Sequence, residues 1–172
     1  GCPFGLLAEI DARRDRFESL EFVSAFLLQR PAPVDHLGQP FRWLTLQPTG
    51  AIRDVLDHPD LGIIPGRYSD LDGICAPEGP LAVDVVVCQV STPDAAGKCS
   101  LGTGVGGHVS LLAQAPLVIG QVNRNMPYVH GQGECRIENF DFLVEIDEAL
   151  SELQPASIDP ISEAIAQHIS PF

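Results

Sequence analysis

The sequence is poor in positive charge. Lys and Arg together number 10 in 172 residues, against 23 Asp and Glu, which gives a formal net charge of −13. A chain this acidic repels the phosphate backbones of nucleic acids. We therefore expect no nucleic-acid partner, although a local arginine or a helix amino terminus can still bind a single anion.

Two common cysteine patterns are also missing. The chain has an odd number of cysteines and no CxxC pair; they are Cys2, Cys75, Cys88, Cys99 and Cys135. This pattern argues against a structural zinc site and against a disulfide framework. It favours a reduced protein, and we expect a cytoplasmic location.

Long apolar runs are absent as well. No segment reaches the roughly 18 apolar residues of a membrane span, and no basic-then-apolar signal peptide opens the chain. We expect no membrane partner and no metal site. The composition, 45% hydrophobic and 19% charged, is instead typical of a packed globular domain.

Strand-like and helix-like patterns alternate along the chain, which predicts an α/β fold with a layered, mainly parallel sheet flanked by helices. The apolar run 83–90 is the clearest strand and suits the centre of a parallel sheet covered on both faces. Residues 73–80 and 91–107 read as loops, and residues 150–160 as a linker before a last helix. Further strands are expected at 20–29, 41–47, 61–65, 117–122 and 137–146, and helices at 6–20, 51–57, 108–114 and 161–169.

A glycine-rich segment invites a second interpretation. Gly102, Gly104 and Gly107 match the G-x-G-x-x-G pattern that holds a pyrophosphate in dinucleotide-binding proteins. That motif sits in a tight turn directly after a strand, whereas here about a dozen residues separate Val90, the end of the predicted strand, from Gly102. A helix entry that turns the chain is the favoured interpretation, and a nicotinamide-dependent oxidoreductase stays a weak alternative.

Single reactive side chains carry little information alone. His130 lies in a loop, where a histidine can act as an acid, a base or a ligand, but most such residues are ordinary surface histidines. Cys99 follows Lys98, yet a buried structural cysteine is favoured over a nucleophile. Glu134 follows a glycine-containing loop and reads as a surface carboxylate.

Taken in order along the chain, the motifs become specific. Residues 84–102 (DVVVCQVSTPDAAGKCSLG) resemble the pattern D-V-A-x-x-Q-V-S-x-P-D-x-x-G-x-C-S-L-G of the acetyl-CoA hydrolase/transferase family, which includes the 4-hydroxybutyrate CoA-transferases. Residues 118–131 resemble its V-I-x-x-V-N-x-x-M-P-x-x-x-G stretch, and Gly66–Tyr68 resembles a shortened G-R-x-x-Y region. The resemblance extends from about Gly50 to the carboxyl terminus.

The resemblance implies a CoA-transferase fold (NagB/RpiA-like) and CoA transfer between an acyl-CoA and a small carboxylate. Coenzyme A or acyl-CoA is then a substrate, and no tightly bound cofactor is expected. In the family a glutamate attacks the thioester, and the reaction passes through an anhydride and a glutamyl-CoA thioester. No residue here matches that glutamate, so no catalytic residue is assigned within the chain.

We therefore expect residues 1–172 to be a single amino-terminal domain, truncated at both ends and inactive alone. Gly1 to Gly5 look like the tail of a glycine-rich loop whose preceding strand is absent. The expected partners are a carboxy-terminal catalytic domain and further copies of the chain, since a severed domain exposes apolar surface. An acyl-CoA hydrolase of the same family and a non-catalytic, CoA-transferase-like binding module remain as alternatives.

Loop positions at strand ends supply the candidate substrate contacts, because open α/β sheets bind ligands there. Arg67 is expected to pair with a substrate carboxylate through a charge-assisted hydrogen bond. The full set of predicted substrate-binding residues is Arg67, Tyr68, Met126, Pro127, His130, Cys2 and Phe4.

Overall fold

Two parallel three-stranded sheets form the framework of the fold. In this computed structural model, which describes residues 1–170, the first sheet contains β1 (Leu20–Ser24), β2 (Phe41–Thr45) and β3 (Leu61–Ile63), in that spatial order. The second sheet has the order β4 (Val85–Val90), β6 (Leu117–Asn123), β8 (Phe142–Ile146). A separate antiparallel ribbon pairs β5 (Lys98–Ser100) with β7 (Glu134–Arg136). The expectation of a cut end at Phe172 lies outside the described residues.

Four α-helices complete the fold: α1 (Phe4–Ala12), α2 (Leu71–Ile74), α3 (His108–Gln114) and α4 (Pro160–Ile169). The start of α4 is fixed by Asp159, whose carboxylate accepts the backbone N–H groups of Ile161 and Ser162, and by a proline at the first helical position. Within residues 1–170, none of the helices is long and apolar enough to cross a membrane. Parallel strands that alternate with helices confirm the predicted α/β class.

The strand 83–90 was expected at the centre of a sheet, and this prediction is wrong. In the second sheet β6 pairs with strands on both sides, whereas β4 pairs in register with β6 alone. Val86 and Val90 are buried, but Val85 at the start of the strand is 44% exposed. Hydrophobicity reports burial of side chains, but it does not encode which edges of a strand find a partner.

Several element boundaries also differ from the pattern. The helix expected over 6–20 ends at Ala12, and the strand expected over 137–146 begins only at Phe142, after a 3₁₀ turn at Ile137–Asn139. The carboxylate of Asp141 accepts the N–H of Val118 at 2.8 Å, which anchors the start of β8 against β6. The loops expected at 73–80 and 91–107 contain the end of α2 and the short strand β5.

Apolar side chains pack on both faces of the sheets. Leu7 of α1 packs with Trp43 of β2 on one face of the first sheet, and Leu71 of α2 packs on the other. Val90 of the second sheet and Leu101, which follows β5, are fully buried in a cluster that α3 partly covers. Burial of this kind is the main favourable term in folding.

The cluster under the second sheet yields a stability prediction. Leu101→Ala should lower the free energy of unfolding by about 2–5 kcal/mol, because it leaves a cavity in a closed core. Leu153→Ala, at a side chain that is 80% exposed, should change it by less than about 0.5 kcal/mol. Urea unfolding of both variants checks this, and equal losses would contradict the assignment of Leu101 to the core.

Candidate functional site

A cavity of about 490 Å³ lies where the carboxyl ends of both parallel sheets meet. Phe26, Leu28 and Gln47 reach it from beyond β1 and β2, while Gln89 and Met126 reach it from the ends of β4 and β6. Its remaining lining comes from Gly1, Cys2, Phe4, Tyr68, residues 103–106, Leu150 and Ser151. Ligands of open α/β sheets bind at such strand ends, so we take this cavity as the candidate site.

Three buried amide side chains form the floor beneath the cavity. The amide oxygen of Gln89 accepts hydrogen bonds from Gln121 at 2.9 Å and from Asn123 at 3.0 Å. Gln121 in turn accepts the backbone N–H of Leu6 in α1, and Asn123 donates to the carbonyl of Glu148. The network therefore fixes α1 and the chain after β8 to the end of the second sheet.

Close backbone packing shapes the glycine-rich wall. Gly102 has φ +58°, and a Cβ there would collide with the Met126 side chain. Gly106 has φ +41°, and a Cβ there would collide with the Tyr68 hydroxyl. The positive φ angles favour glycine at both positions, and a side chain at either would have to displace its neighbour. The loop thus packs against Tyr68 and Met126 and leads into α3, as the favoured interpretation of these glycines expects.

A buried serine joins this wall to the loop that carries Met126. The hydroxyl of Ser100 donates to the carbonyl of Val129 at 2.8 Å and accepts the N–H groups of Gly102 and Val129. The backbone N–H of Ser100 is itself bonded to the hydroxyl of Ser91. A change at Ser100 would therefore disturb two walls of the cavity together.

The structure brings together four of the seven predicted site residues. Cys2, Phe4, Tyr68 and Met126 all line the cavity. Burial raises the pKa of the Cys2 thiol to about 12, so this side chain is a neutral group at physiological pH. Cys2 therefore presents a small apolar surface to the cavity and not a thiolate.

The other three predicted residues lie outside the lining. Arg67 is exposed at the start of a 3₁₀ turn, where its backbone N–H is bonded to the carboxylate of Asp70. Pro127 is exposed, and its carbonyl packs against Gly102. His130 is also exposed, so its contact with substrate, like that of Arg67 and Pro127, stays a prediction.

His130 belongs to a small polar cluster on the surface. Its Nδ1 lies 3.1 Å from Oε1 of Glu134, and the Tyr128 hydroxyl donates to the same oxygen at 2.8 Å. These hydrogen bonds, from Tyr128 first and then from His130, lower the pKa of Glu134 below its usual value. Glu134 is therefore an ionised surface carboxylate.

Sequence reasoning gave no role to several lining residues. Gln89, which lines the cavity, and its buried partner Asn123 lie inside the quoted motifs. Polar residues in otherwise apolar strands are the signal that could have singled them out. Phe26 and Leu28 follow β1 in a segment that was read as a continuous strand. Within residues 1–170, no three His, Cys, Asp or Glu side chains come close enough to share a metal ion.

The amide floor can be tested by removing its central acceptor. Gln89→Leu should lower the free energy of unfolding by about 1–3 kcal/mol, because it deprives two buried amide donors of a partner. Gln114→Leu makes the same chemical change at an exposed position of α3 and should cost less than about 0.5 kcal/mol. Chemical denaturation of both proteins gives the comparison, and a Gln89 variant as stable as its control would rule out the network as a structural element.

Comparison with known protein sequences places this site in a family context. The chain is 28% identical over 169 residues to a 4-hydroxybutyrate coenzyme A transferase of Clostridium kluyveri, covering 98% of the chain and 39% of that protein. It is 34% identical over 88 residues to a succinyl-CoA:cyclohexane-1-carboxylate CoA transferase of Geobacter metallireducens, covering 51% of the chain and 20% of the relative. The chain thus spans about two-fifths of the first relative and one-fifth of the second.

Solved structures show the same fold. RipA from Yersinia pestis superposes with a TM-score of 0.82 at 23% identity, over 96% of this chain and 42% of RipA. A 4-hydroxybutyrate CoA-transferase from Porphyromonas gingivalis gives a TM-score of 0.60 at 21% identity, over 86% of this chain and 40% of that protein. The family model described as the acetyl-CoA hydrolase/transferase N-terminal domain matches residues 35–154. The chain therefore belongs to the acetyl-CoA hydrolase/transferase family.

Proposed function

We propose that this chain forms the acyl-binding side of an enzyme that transfers CoA between an acyl-CoA and a small carboxylate. The observation that carries the proposal is the cavity at the carboxyl ends of both sheets. Phe4, Phe26, Leu28 and Met126 give it an apolar surface, and none of the described side chains that line it is charged. An apolar acyl group gains free energy by leaving water for such a surface.

The proposed reaction needs a nucleophile that the lining lacks. A glutamate carboxylate attacks the thioester carbonyl, the C–S bond breaks, and CoA thiolate leaves behind an acyl-glutamyl anhydride. The thiolate then attacks the glutamyl carbonyl, which releases the original acyl group as a carboxylate and leaves a glutamyl-CoA thioester. The acceptor carboxylate then attacks the glutamyl-CoA thioester, and the same two steps in reverse give the new acyl-CoA and the free glutamate. We propose that this glutamate belongs to a carboxy-terminal domain and that the described chain is inactive alone.

Exposed apolar surface supports a partner for this domain. Ile161, Ile165 and Ile169 lie along one side of α4, spaced four residues apart, and are 54–73% exposed. Phe142 in the edge strand β8 is 62% exposed. Exposed apolar side chains of this kind mark contact sites between domains or subunits when they form a patch. We propose that the carboxy-terminal domain covers it and that the complete enzyme is a homo-oligomer.

Hydrolysis of acyl-CoA is the second candidate. If water reaches the glutamyl-CoA thioester, it attacks the glutamyl carbonyl, frees the glutamate and releases CoA as the thiol. The description of the family names both the hydrolase and the transferase activity. Whether water or a carboxylate attacks depends on how well the complete site excludes solvent.

Acyl exchange tests the proposal directly. The chain and a longer protein that also carries the proposed carboxy-terminal domain are each incubated with acetyl-CoA and propionate, and propionyl-CoA is measured together with the intact protein mass. We expect exchange from the longer protein only, because the described cavity has no carboxylate nucleophile. Free CoA without propionyl-CoA would indicate the hydrolase.

Exchange from the 172-residue chain would contradict the proposed division of labour. Glu134 would then be the first nucleophile to examine, with Glu134→Gln as the variant and Glu138→Gln, another exposed carboxylate of the same region, as its control. If the longer protein shows neither acyl exchange nor hydrolysis, a non-catalytic binding module is favoured.

The acyl pocket has its own test. In the complete enzyme Phe26→Ala should raise KM for an acyl-CoA about tenfold or more, since a buried phenyl contact is worth roughly 1.5–3 kcal/mol. Phe26 is 56% exposed in the described chain, so its loss should not unfold the protein. Phe17→Ala removes another partly exposed phenyl group that does not line the cavity. Equal KM values for both variants would remove Phe26 from the site.

A further inference from the structure

Two cysteine side chains meet across the short antiparallel ribbon. Cys99 of β5 lies directly opposite Cys135 of β7, and their Sγ atoms are 3.3 Å apart. Cys99 is fully buried, whereas Cys135 is half-buried. Both are free thiols, and neither lines the candidate cavity. The contact between the two sulfur atoms is therefore separate from the candidate site.

The backbone holds the two cysteines at a spacing that suits a disulfide. On one side of the pair the N–H of Ile137 donates to the carbonyl of Gly97 at 2.9 Å. On the other side the N–H of Leu101 donates to the carbonyl of Gly133, also at 2.9 Å. Every second pair in an antiparallel ribbon is of the same type, so the two cysteines are also a hydrogen-bonded pair, with Cα atoms about 5.5 Å apart. Disulfides form at Cα separations of about 4.4–6.8 Å, so side-chain movement alone can close an S–S bond here.

The hydrogen bond between the two sulfur atoms makes Cys99 unlike the other buried thiols near it. The thiol of Cys135 donates to Cys99 and holds the pKa of Cys99 below its usual value. By contrast, burial raises the pKa of Cys2 and of Cys88 to about 12. Because the thiolate is the nucleophilic form of cysteine, Cys99 is a better nucleophile than either of these two thiols.

The ribbon is also joined to the glycine-rich wall of the candidate site. Ser100 follows Cys99 directly, and its hydroxyl accepts the N–H groups of Gly102 and Val129. The segment between the two cysteines contains this wall, α3, β6 and the loop after β6. A covalent bond that closes the segment into a loop restricts the unfolded chain and restrains the wall in the folded one.

We propose that Cys99 and Cys135 form a modification site for hydroperoxides, at which oxidation converts the thiol pair into a reversible disulfide that restrains this wall. The sulfur of Cys135, the more exposed of the two, attacks the O–O bond of hydrogen peroxide, which gives a sulfenic acid and one water. The sulfur of Cys99 then attacks the sulfenic sulfur, so that the S–S bond forms and a second water leaves. The thiol pair thereby loses two electrons and two protons, and one peroxide is reduced to two waters. A small thiol such as glutathione restores the pair by thiol–disulfide exchange and is itself oxidised to its disulfide.

Peroxide treatment of the full chain tests the proposal. The reduced chain is incubated with hydrogen peroxide, and its intact mass and tryptic peptides are measured without reductant. Trypsin separates the two cysteines, because it cleaves after Lys98, Arg124 and Arg136. We expect an intact mass lower by about 2 Da and a crosslink between peptides 99–124 and 125–136, and dithiothreitol should reverse both.

The restraint on the wall is measured in the same samples. The disulfide should raise Tm by about 5 °C or more and slow amide exchange at Gly102 and Val129 at least about threefold. Cys135→Ala should lose the mass change, the crosslink and both of these effects. Cys88→Ala removes another buried thiol of the same apolar cluster and should keep all of them.

Three outcomes would overturn the assignment. Addition of oxygen atoms to Cys135 without a crosslink would show that Cys99 does not reach the sulfenic sulfur. A crosslink to Cys88, or between two chains, would assign the oxidation to a different pair of thiols. A crosslink between Cys99 and Cys135 that changes neither Tm nor amide exchange would show that the disulfide does not restrain the wall.

Discussion

The site depends on a polar network buried in an otherwise apolar sheet. Leaving an amide unpaired in such surroundings costs free energy comparable to a lost hydrogen bond or more, so these groups tolerate few arrangements. Gln89, Gln121 and Asn123 satisfy one another only when β4 and β6 keep their register. The same amides bind the amino-terminal turn of α1 and the carbonyl of Glu148. A single set of hydrogen bonds thereby positions segments from both ends of the chain around one cavity.

The glycine-rich wall extends this constraint to the other side of the cavity. Gly102 and Gly106 hold conformations that suit glycine, and their neighbours occupy the space a side chain would need. Ser100 bonds the same wall to the loop of Met126. Hydrogen bonds and close packing thus hold the floor and the wall, whereas Phe26 and Leu28 beside them are exposed. A base held in this way, with an open apolar rim, suits the proposal that a carboxy-terminal domain completes the site.

The sequence was sufficient for the family and for the order of most elements. The motif around 84–102 spans a strand, a turn and a second short strand, so its residues are fixed by several contacts at once and are recognisable together. Edge positions were not predictable, because the run that forms β4 has the composition of a central strand.

The predicted site residues divide into those that packing holds at the cavity and those that are exposed to solvent. Tyr68 and Met126 could be placed from their motifs because close backbone contacts with glycines hold them at the cavity. Arg67 and His130 are held by few tertiary contacts, and their charged or polar ends point into solvent. Loop position alone does not determine where such a side chain points. In a cavity whose described lining side chains are uncharged, an unpaired ion would be costly to bury. The carboxylate of the proposed mechanism is therefore easier to accommodate on the proposed carboxy-terminal domain, with its own hydrogen-bond partners, than within this apolar wall.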